Sequence, residues 1–184
     1  MDDPYSVRER ARRRLPRMIF DFVDGGTGAD QAQAEISKAF REIKLQPRVL
    51  RNVETLDLSV QVLGRSYGLP LGFAPMGMCN LIARDADLAM SNEAAKRAIP
   101  HCVSTAASTV MEQSLISSQG NCWFQLYAGS NEAFTLELLE RAATAGIECL
   151  VFTVDTPRNA RRSRDLKNGF SVPLKWGPRQ IWDS

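Results

Sequence analysis

The chain is predicted to be an α/β protein with parallel strands, and three observations predict it. From residue 69 onward, short apolar runs alternate four times with helical stretches, the pattern of parallel strands joined by helical crossovers. Each apolar run stops at polar or glycine-bearing residues, as strands do where they deliver side chains to a site. Finally, 44% hydrophobic content over 184 residues is enough for one core with a smaller appendage.

The elements follow in order. Val7, Ala11 and Leu15 recur at helical spacing and predict a helix over 5–14. Pro16 opens a second helix, Ile19, Phe22 and Val23 continue its apolar stripe, and Gly25-Gly26 closes it. A third helix is expected over 30–40. The stretch 45–63, with Pro47 and alternating Leu56, Leu58, Val60 and Val62, suggests strands, and 64–68 the turn of a hairpin. The alternation then begins: strands at 69–74, 101–106, 122–128 and 149–155, with helices at 85–98, 110–117 and 131–145. The expected division places the helical extension and hairpin in 1–68 and the parallel-stranded part in 69–184.

Charge and cysteine usage narrow the function classes. The net charge of +2 implies no particular partner, although Arg8, Arg10, Arg12, Arg13, Arg14 and Arg17 crowd the N-terminus. A nucleic-acid or membrane-surface arm is one reading of that cluster. A solvated helix face is the better one, because acidic residues dilute it and no aromatic residues interleave. Cys79, Cys102, Cys122 and Cys149 form no C-x-x-C pair and have no spacing to a histidine, so no metal is expected and reduced thiols in the cytoplasm are. No apolar run approaches the roughly 20 residues of a membrane span.

The candidate site lies at the strand ends. The first strand finishes at Ala74-Pro75-Met76-Gly77, where glycine lets a ligand approach the main chain. The second carries Ser104 and Thr105. Gln125 and Tyr127 on the third are two apart and share a face, as do Thr153 and Asp155 on the fourth. Gln125 alone reads better as a satisfied core amide, but two polar pairs at one depth favour a shared pocket. Arg161, Arg162 and Arg164 follow Asp155, and guanidiniums beside a carboxylate suit a small anionic ligand.

Five ordered segments carry a resemblance. They are Phe20-Asp21-Phe22-Val23-Asp24-Gly25-Gly26, Gln46-Pro47-Arg48-Val49-Leu50, Trp123-Phe124-Gln125-Leu126-Tyr127, Thr153-Val154-Asp155-Thr156-Pro157, and Arg161-Arg162 followed by Asp165, Asn168 and Phe170. The chain resembles the FMN-dependent α-hydroxy-acid dehydrogenases and oxidases, the group containing glycolate oxidase, lactate dehydrogenase and mandelate dehydrogenase. Val172-Pro173-Leu174-Lys175 looks closer to the bacterial lactate and mandelate branch.

The resemblance implies a (β/α)8 TIM barrel, of which this chain supplies the N-terminal helical extension, a hairpin and about the first four βα units. It implies FMN as cofactor and oxidation of an L-2-hydroxy acid to the 2-oxo acid. Backbone at Ala74, Pro75, Met76 and Gly77 would lie against the flavin ring, and Ser104, Gln125 and Thr153 would hydrogen-bond its polar edge. Tyr127 would place its hydroxyl by the substrate, Asp155 would orient the catalytic imidazolium, and Arg162 would sit by the substrate carboxylate.

The chain departs from the family pattern in four ways. The family's catalytic histidine belongs to a motif after the seventh strand, and the single histidine here, His101, starts the second strand and is expected to be structural. The family's flavin lysine, second substrate arginine and glycine-rich phosphate site have no counterpart. Phe22 stands where the family usually has a substrate-binding tyrosine; losing that hydroxyl would cost about 1–3 kcal/mol in a site built around it. Ala106, where oxidases carry a large aromatic residue, leaves room for a bulky substrate. The expectation is therefore half a barrel with a divided active site, inactive alone. It would self-associate or need a complementary half-barrel, or else be a non-catalytic remnant. No nucleic acid is expected, and the electron acceptor is left open. Peripheral membrane attachment is an alternative for the intact form, since the loop after residue 170 could carry a membrane-touching insertion in this branch.

Overall fold

The computed structural model describes residues 3–155 and 160–174, which form two units, one from 3–51 with 160–174 and one from 52–155. Residues 156–159 and 175–184 lie outside the described residues, and with them Thr156, Pro157 and Lys175 of the segments above.

The first unit is helical. Helix α1 (Pro4–Arg14) starts where Asp3 accepts the N–H groups of Tyr5 (2.9 Å) and Ser6 (3.2 Å), satisfying donors that a helix start leaves open. Helix α2 (Arg17–Asp24) follows Pro16, buries Met18, Ile19 and Phe20, and ends at Gly25. A Cβ on Gly25 would lie 2.5 Å from the Asp21 carbonyl oxygen, so only glycine fits that stop. Helix α3 (Gln31–Glu42) buries none of its residues; Ile36 and Phe40 are exposed. A short helix α7 (Ser163–Asn168), in what reads from sequence as a basic tail, completes the unit. Arg8 holds Asp24 through two bonds, Nε–Oδ1 at 2.6 Å and Nη2–Oδ2 at 2.9 Å. Arg164 reaches the same carboxylate at 2.9 Å and Asp30 at 2.5 Å. These pairings keep the Asp24 carboxyl below its ordinary value, Arg8 contributing most and burial opposing it.

The second unit carries a hairpin and a parallel sheet. Strands β1 (Val60–Val62) and β2 (Arg65–Tyr67) pair antiparallel. Their turn is Leu63-Gly64, with φ of 50° and 78°, the left-handed pair that closes a two-residue hairpin. The turn expected at 64–68 is thus displaced, because 65–67 is extended and paired. The strands expected across 45–63 shrink to β1. Strands β3 (His101–Ser104), β4 (Cys122–Leu126) and β5 (Leu150–Phe152) form a parallel sheet in that order. Helices α4 (Ala86–Arg97), α5 (Met111–Ser117) and α6 (Glu132–Ala145) accompany them. Asn131 caps α6, and Gly146 ends it at φ 92°. The strand expected at 69–74 survives as one parallel bridge, Phe73 to His101. The Phe73 N–H donates to Pro100 O at 2.9 Å and its carbonyl accepts from Cys102 at 3.0 Å. Pro70 and Pro75 bracket that bridge and cannot donate to a ladder.

The core lies on one face of the sheet, where Val103, Cys122, Phe124 and Leu126 meet Met111, Leu138 and Ala142. On the other face Cys102, Trp123 and Val151 line a cavity of about 630 Å³ that Val60, Val62 and Tyr67 of the hairpin also border. Tyr67 is buried and its hydroxyl accepts the Trp123 indole N–H at 2.9 Å. Among the described residues β5 pairs only with β4, and Leu150, Phe152 and Val154 are exposed. The fold is α/β with a helical N-terminal region, an antiparallel hairpin and three parallel strands, consistent with a partial (β/α)8 barrel.

Burial raises the thiol pKa of Cys79 to about 11 and of Cys102 and Cys122 to about 12, so these free cysteines act as small apolar groups. His101 is buried, with Nδ1 2.9 Å from Ser91 Oγ and its ring edge-on to Phe73. Ser91 donates its own proton to the Asp87 carbonyl, which makes His101 Nδ1 the donor. Burial lowers the His101 pKa below its ordinary 6.5, against the nearby Asp87 charge. The folded state keeps the ring neutral while the unfolded chain protonates it. Stability is therefore lost as pH falls through 6.5 and levels off below the lowered folded value. In thermal melts between about pH 7.5 and 5, the midpoint of the unaltered chain should fall more steeply than that of His101→Gln. Parallel profiles would remove His101 as the cause.

Candidate functional site

The second unit wires the ends of its three parallel strands together through side chains. The register sets Ser104 opposite Gln125, and Gln125 opposite Val151. Ser104 Oγ donates to Gln125 Oε1 at 2.9 Å and accepts the Ala106 N–H at 3.1 Å. Gln125 Nε2 donates to Thr153 Oγ1 at 2.8 Å. The Thr153 N–H reaches Leu126 O at 3.0 Å, carrying the ladder one step past β5. Donors toward Oε1 and an acceptor beside Nε2 fix the amide orientation of Gln125, which is only 1% exposed.

Ala74, Pro75 and Met76 are exposed, whereas Gly77 is half-buried. The Met78 N–H donates to Ala106 O at 2.8 Å, and a Cβ on Gly77 would lie 3.0 Å from that of Ala106. An apolar ledge thus runs beside a row of donors and acceptors in which Ser104 and Gln125 are buried and Thr153 half-buried. Among the described residues, Gln125 Nε2 has one partner for two N–H groups, and the Thr153 hydroxyl accepts without donating. Such a set suits the edge of a planar heteroaromatic ring that alternates acceptors with a donor.

Tyr127 and Asp155 are both exposed. The Tyr127 N–H donates to Thr105 Oγ1 at 3.1 Å. In the first unit Phe22 stacks on Phe170, with centroids 4.2 Å apart and planes 9° apart. The Arg162 guanidinium lies 5.1 Å from the Phe22 centroid, within cation–π range. Its Nη2 donates to the carbonyls of Phe22 and, at 2.8 Å, Gly25. Its Nε lies 2.7 Å from Asp165 Oδ2; the approach is poorly aligned for a hydrogen bond, so the contact is chiefly ionic. Burial raises the Asp165 pKa, with Arg162 opposing. The structure therefore gathers Ser104, Gln125 and Thr153 in one unit, and Phe22 and Arg162 in the other. Sequence reasoning missed Asp165 as the partner of Arg162; its position three residues on, at the start of α7, was the available signal.

A parallel sheet with polar side chains gathered at its strand ends fits an α/β protein of the barrel type, where ligands bind at that end of the strands. Residues 11–184 match the family model of the FMN-dependent dehydrogenases, and the chain belongs to that family, whose cofactor is FMN. It is 37% identical over 174 residues to an L-lactate dehydrogenase of Pseudomonas syringae pv. syringae, covering 95% of this chain and 46% of that protein. It is 36% identical to a putative L-lactate dehydrogenase of Mycobacterium tuberculosis, covering 97% and 43%. Among solved structures, (S)-mandelate dehydrogenase, described as a monotopic membrane protein, superposes with a TM-score of 0.89 at 30% identity, covering 97% of this chain and 48% of that one. A mandelate oxidase variant carrying an FMN adduct gives a TM-score of 0.84 at 34% identity, covering 91% and 51%. The chain spans about half the length of the curated relatives it matches. No helix among the described residues is long and apolar enough to cross a membrane.

Proposed function

We propose that this chain contributes the N-terminal half-barrel of an FMN-dependent 2-hydroxy-acid dehydrogenase or oxidase. The reaction is conversion of an L-2-hydroxy acid of the lactate, mandelate or glycolate type to the 2-oxo acid. The observation that carries this reading is the hydrogen-bonded row of buried Ser104 and Gln125 with half-buried Thr153, whose remaining donors suit the polar edge of a flavin. The backbone of Ala74, Pro75, Met76 and Gly77 supplies the surface for the ring. When bound, FMN accepts the two electrons released from the substrate α-carbon.

The chain's own residues bind and orient. Tyr127 presents its hydroxyl to the substrate, and Arg162 recognises the substrate carboxylate as a charge-assisted donor. Asp155 stabilises an imidazolium supplied from beyond these residues, as a carboxylate does in a triad. Phe22 lends a ring without a hydroxyl, so carboxylate recognition falls more heavily on Arg162. The division into 1–68, extension and hairpin, and 69–184, barrel half, belongs to the same reading, as does peripheral membrane attachment of the intact form. Alone the chain is inactive and pairs with itself or a complementary half-barrel, since among the described residues β5 pairs only with β4 and Phe152 and Val154 are exposed.

The test uses the chain with and without a complementing polypeptide, the part of the Pseudomonas L-lactate dehydrogenase beyond the matched region. Each sample is incubated with FMN, desalted, and assayed for dye reduction by L-lactate and (S)-mandelate. The chain alone should emerge colourless and inactive, and the mixture yellow and active. A mixture that holds no flavin would favour the non-catalytic remnant; turnover by the chain alone would overturn the divided site.

A further inference from the structure

The sheet ladder should end at the last paired residues of β3 and β4, yet it continues by one rung made from a side chain. The Thr105 N–H donates to Gln125 O at 2.9 Å, the usual parallel-ladder bond. The Thr105 hydroxyl then donates to the same Gln125 carbonyl at 2.7 Å and accepts the Tyr127 N–H at 3.1 Å. One hydroxyl thus serves as donor to one strand residue and acceptor for another two positions on. Both lone pairs of the Gln125 carbonyl and the main-chain N–H of Tyr127 are satisfied at a strand end where water would otherwise compete.

From this geometry we infer that Thr105 is a positioning residue, which holds Tyr127 and Gln125 in fixed relation at the mouth of the sheet. The inference rests on the flavin reading only for its functional meaning; the clamp itself is a matter of main-chain geometry. Gln125 is locked twice, at its carbonyl by Thr105 and at its side-chain amide by Ser104 and Thr153. Tyr127 has no such burial: the residue is 46% exposed, so its placement depends on its backbone. A phenol that must present its hydroxyl to a substrate gains precision when its amide is pinned to the strand carrying the flavin-facing groups. Residue type matters here. Serine keeps the hydroxyl, whereas valine keeps the shape and loses both bonds.

Thr105→Val and Thr105→Ser are compared with the unaltered chain, all labelled with fluorotyrosine. The chain has three tyrosines, Tyr5, Tyr67 and Tyr127, of which Tyr67 is buried beneath the sheet and reports general loss of fold. In Thr105→Val the Tyr127 fluorine resonance should shift or broaden while that of Tyr67 holds, and amide exchange at Tyr127 should quicken about tenfold, as for loss of one hydrogen bond. Thr105→Ser should restore both. An unmoved Tyr127 signal overturns the clamp, as does a change shared with Tyr67 that serine fails to rescue. In the complemented, flavin-loaded mixture, Thr105→Val should lower kcat for the hydroxy acid about tenfold or more with the flavin spectrum retained, and Thr105→Ser should recover it. An unchanged kcat there overturns the positioning role. A mixture without flavin defeats the proposed function instead, and leaves the resonance and exchange results to decide the clamp.

Discussion

Phe124→Ala is expected to destabilise the sheet-bearing unit by about 3–5 kcal/mol, enough to consume much of a small domain's stability. Phe124 is 1% exposed and occupies the middle of β4, the central strand. Its ring fills the layer between the sheet and helices α5 and α6, among Val103, Met111, Leu138 and Ala142. Truncation removes the transfer energy of the ring and leaves a cavity that two flanking strands and two helices cannot collapse to fill. Urea unfolding followed by circular dichroism checks it. A loss below about 1 kcal/mol would mean that the layer is loosely packed and repacks around alanine.

Arg162→Ala is expected to cost the helical unit about 2–3 kcal/mol, below the ~3–5 kcal/mol for a fully buried pair because a third of the Arg162 side chain is exposed. Two carbonyls lose their donor, the Phe22 ring loses its cation, and Asp165 keeps a charge with 12% of its side chain exposed. The pH dependence has a definite sign. The folded pKa of Asp165 already lies above its ordinary 3.8, chiefly through burial, and removing the guanidinium raises it further. A carboxyl raised on folding destabilises the native state above its folded pKa, and that penalty disappears as pH falls through it. The gap between Arg162→Ala and the unaltered chain should therefore be widest near neutrality and narrow in acid. A gap independent of pH would show that Arg162 acts through its carbonyl bonds and packing alone. Because Arg162 is also the proposed carboxylate-binding residue, any loss of activity has to be set against this structural cost.

Much of the fold was legible because local chemistry fixed it. Proline at 16 and glycine at 25 bracket α2, Asn131 and Gly146 bracket α6, and the short apolar runs Cys102-Val103 and Cys122-Trp123-Phe124 mark β3 and β4. Three features were not. The hairpin turn uses Leu63 at positive φ, a conformation that residue type argues against. The strand around Phe73 is apolar along its length, but its prolines limit it to one bridge. Helix α7 was read as a basic tail, although Arg162 binds carbonyls about 140 residues away in sequence. The residue types of the site were readable from polar pairs at strand ends. Their wiring was not, because the Ser104–Gln125–Thr153 row exists only once two strand registers are set. The basic N-terminus illustrates the same limit: Arg8 is tied to Asp24, a pairing that charge counting cannot show.

The helical unit joins two segments far apart in sequence, 3–51 and 160–174. Helices α2 and α3 are synthesised before α7, yet the contacts that fasten them to its segment, from Arg164 to Asp24 and Asp30 and from Phe170 to Phe22, must wait for more than a hundred intervening residues. The sheet-bearing unit draws on one continuous stretch and can form in the interval. Closing the longer loop carries the greater entropic cost. Of the two segments of the helical unit, the one made earlier is therefore secured only when the later one arrives, and the nascent chain carries Phe22 and Asp24 of α2 without their partners Phe170 and Arg164 until that segment emerges.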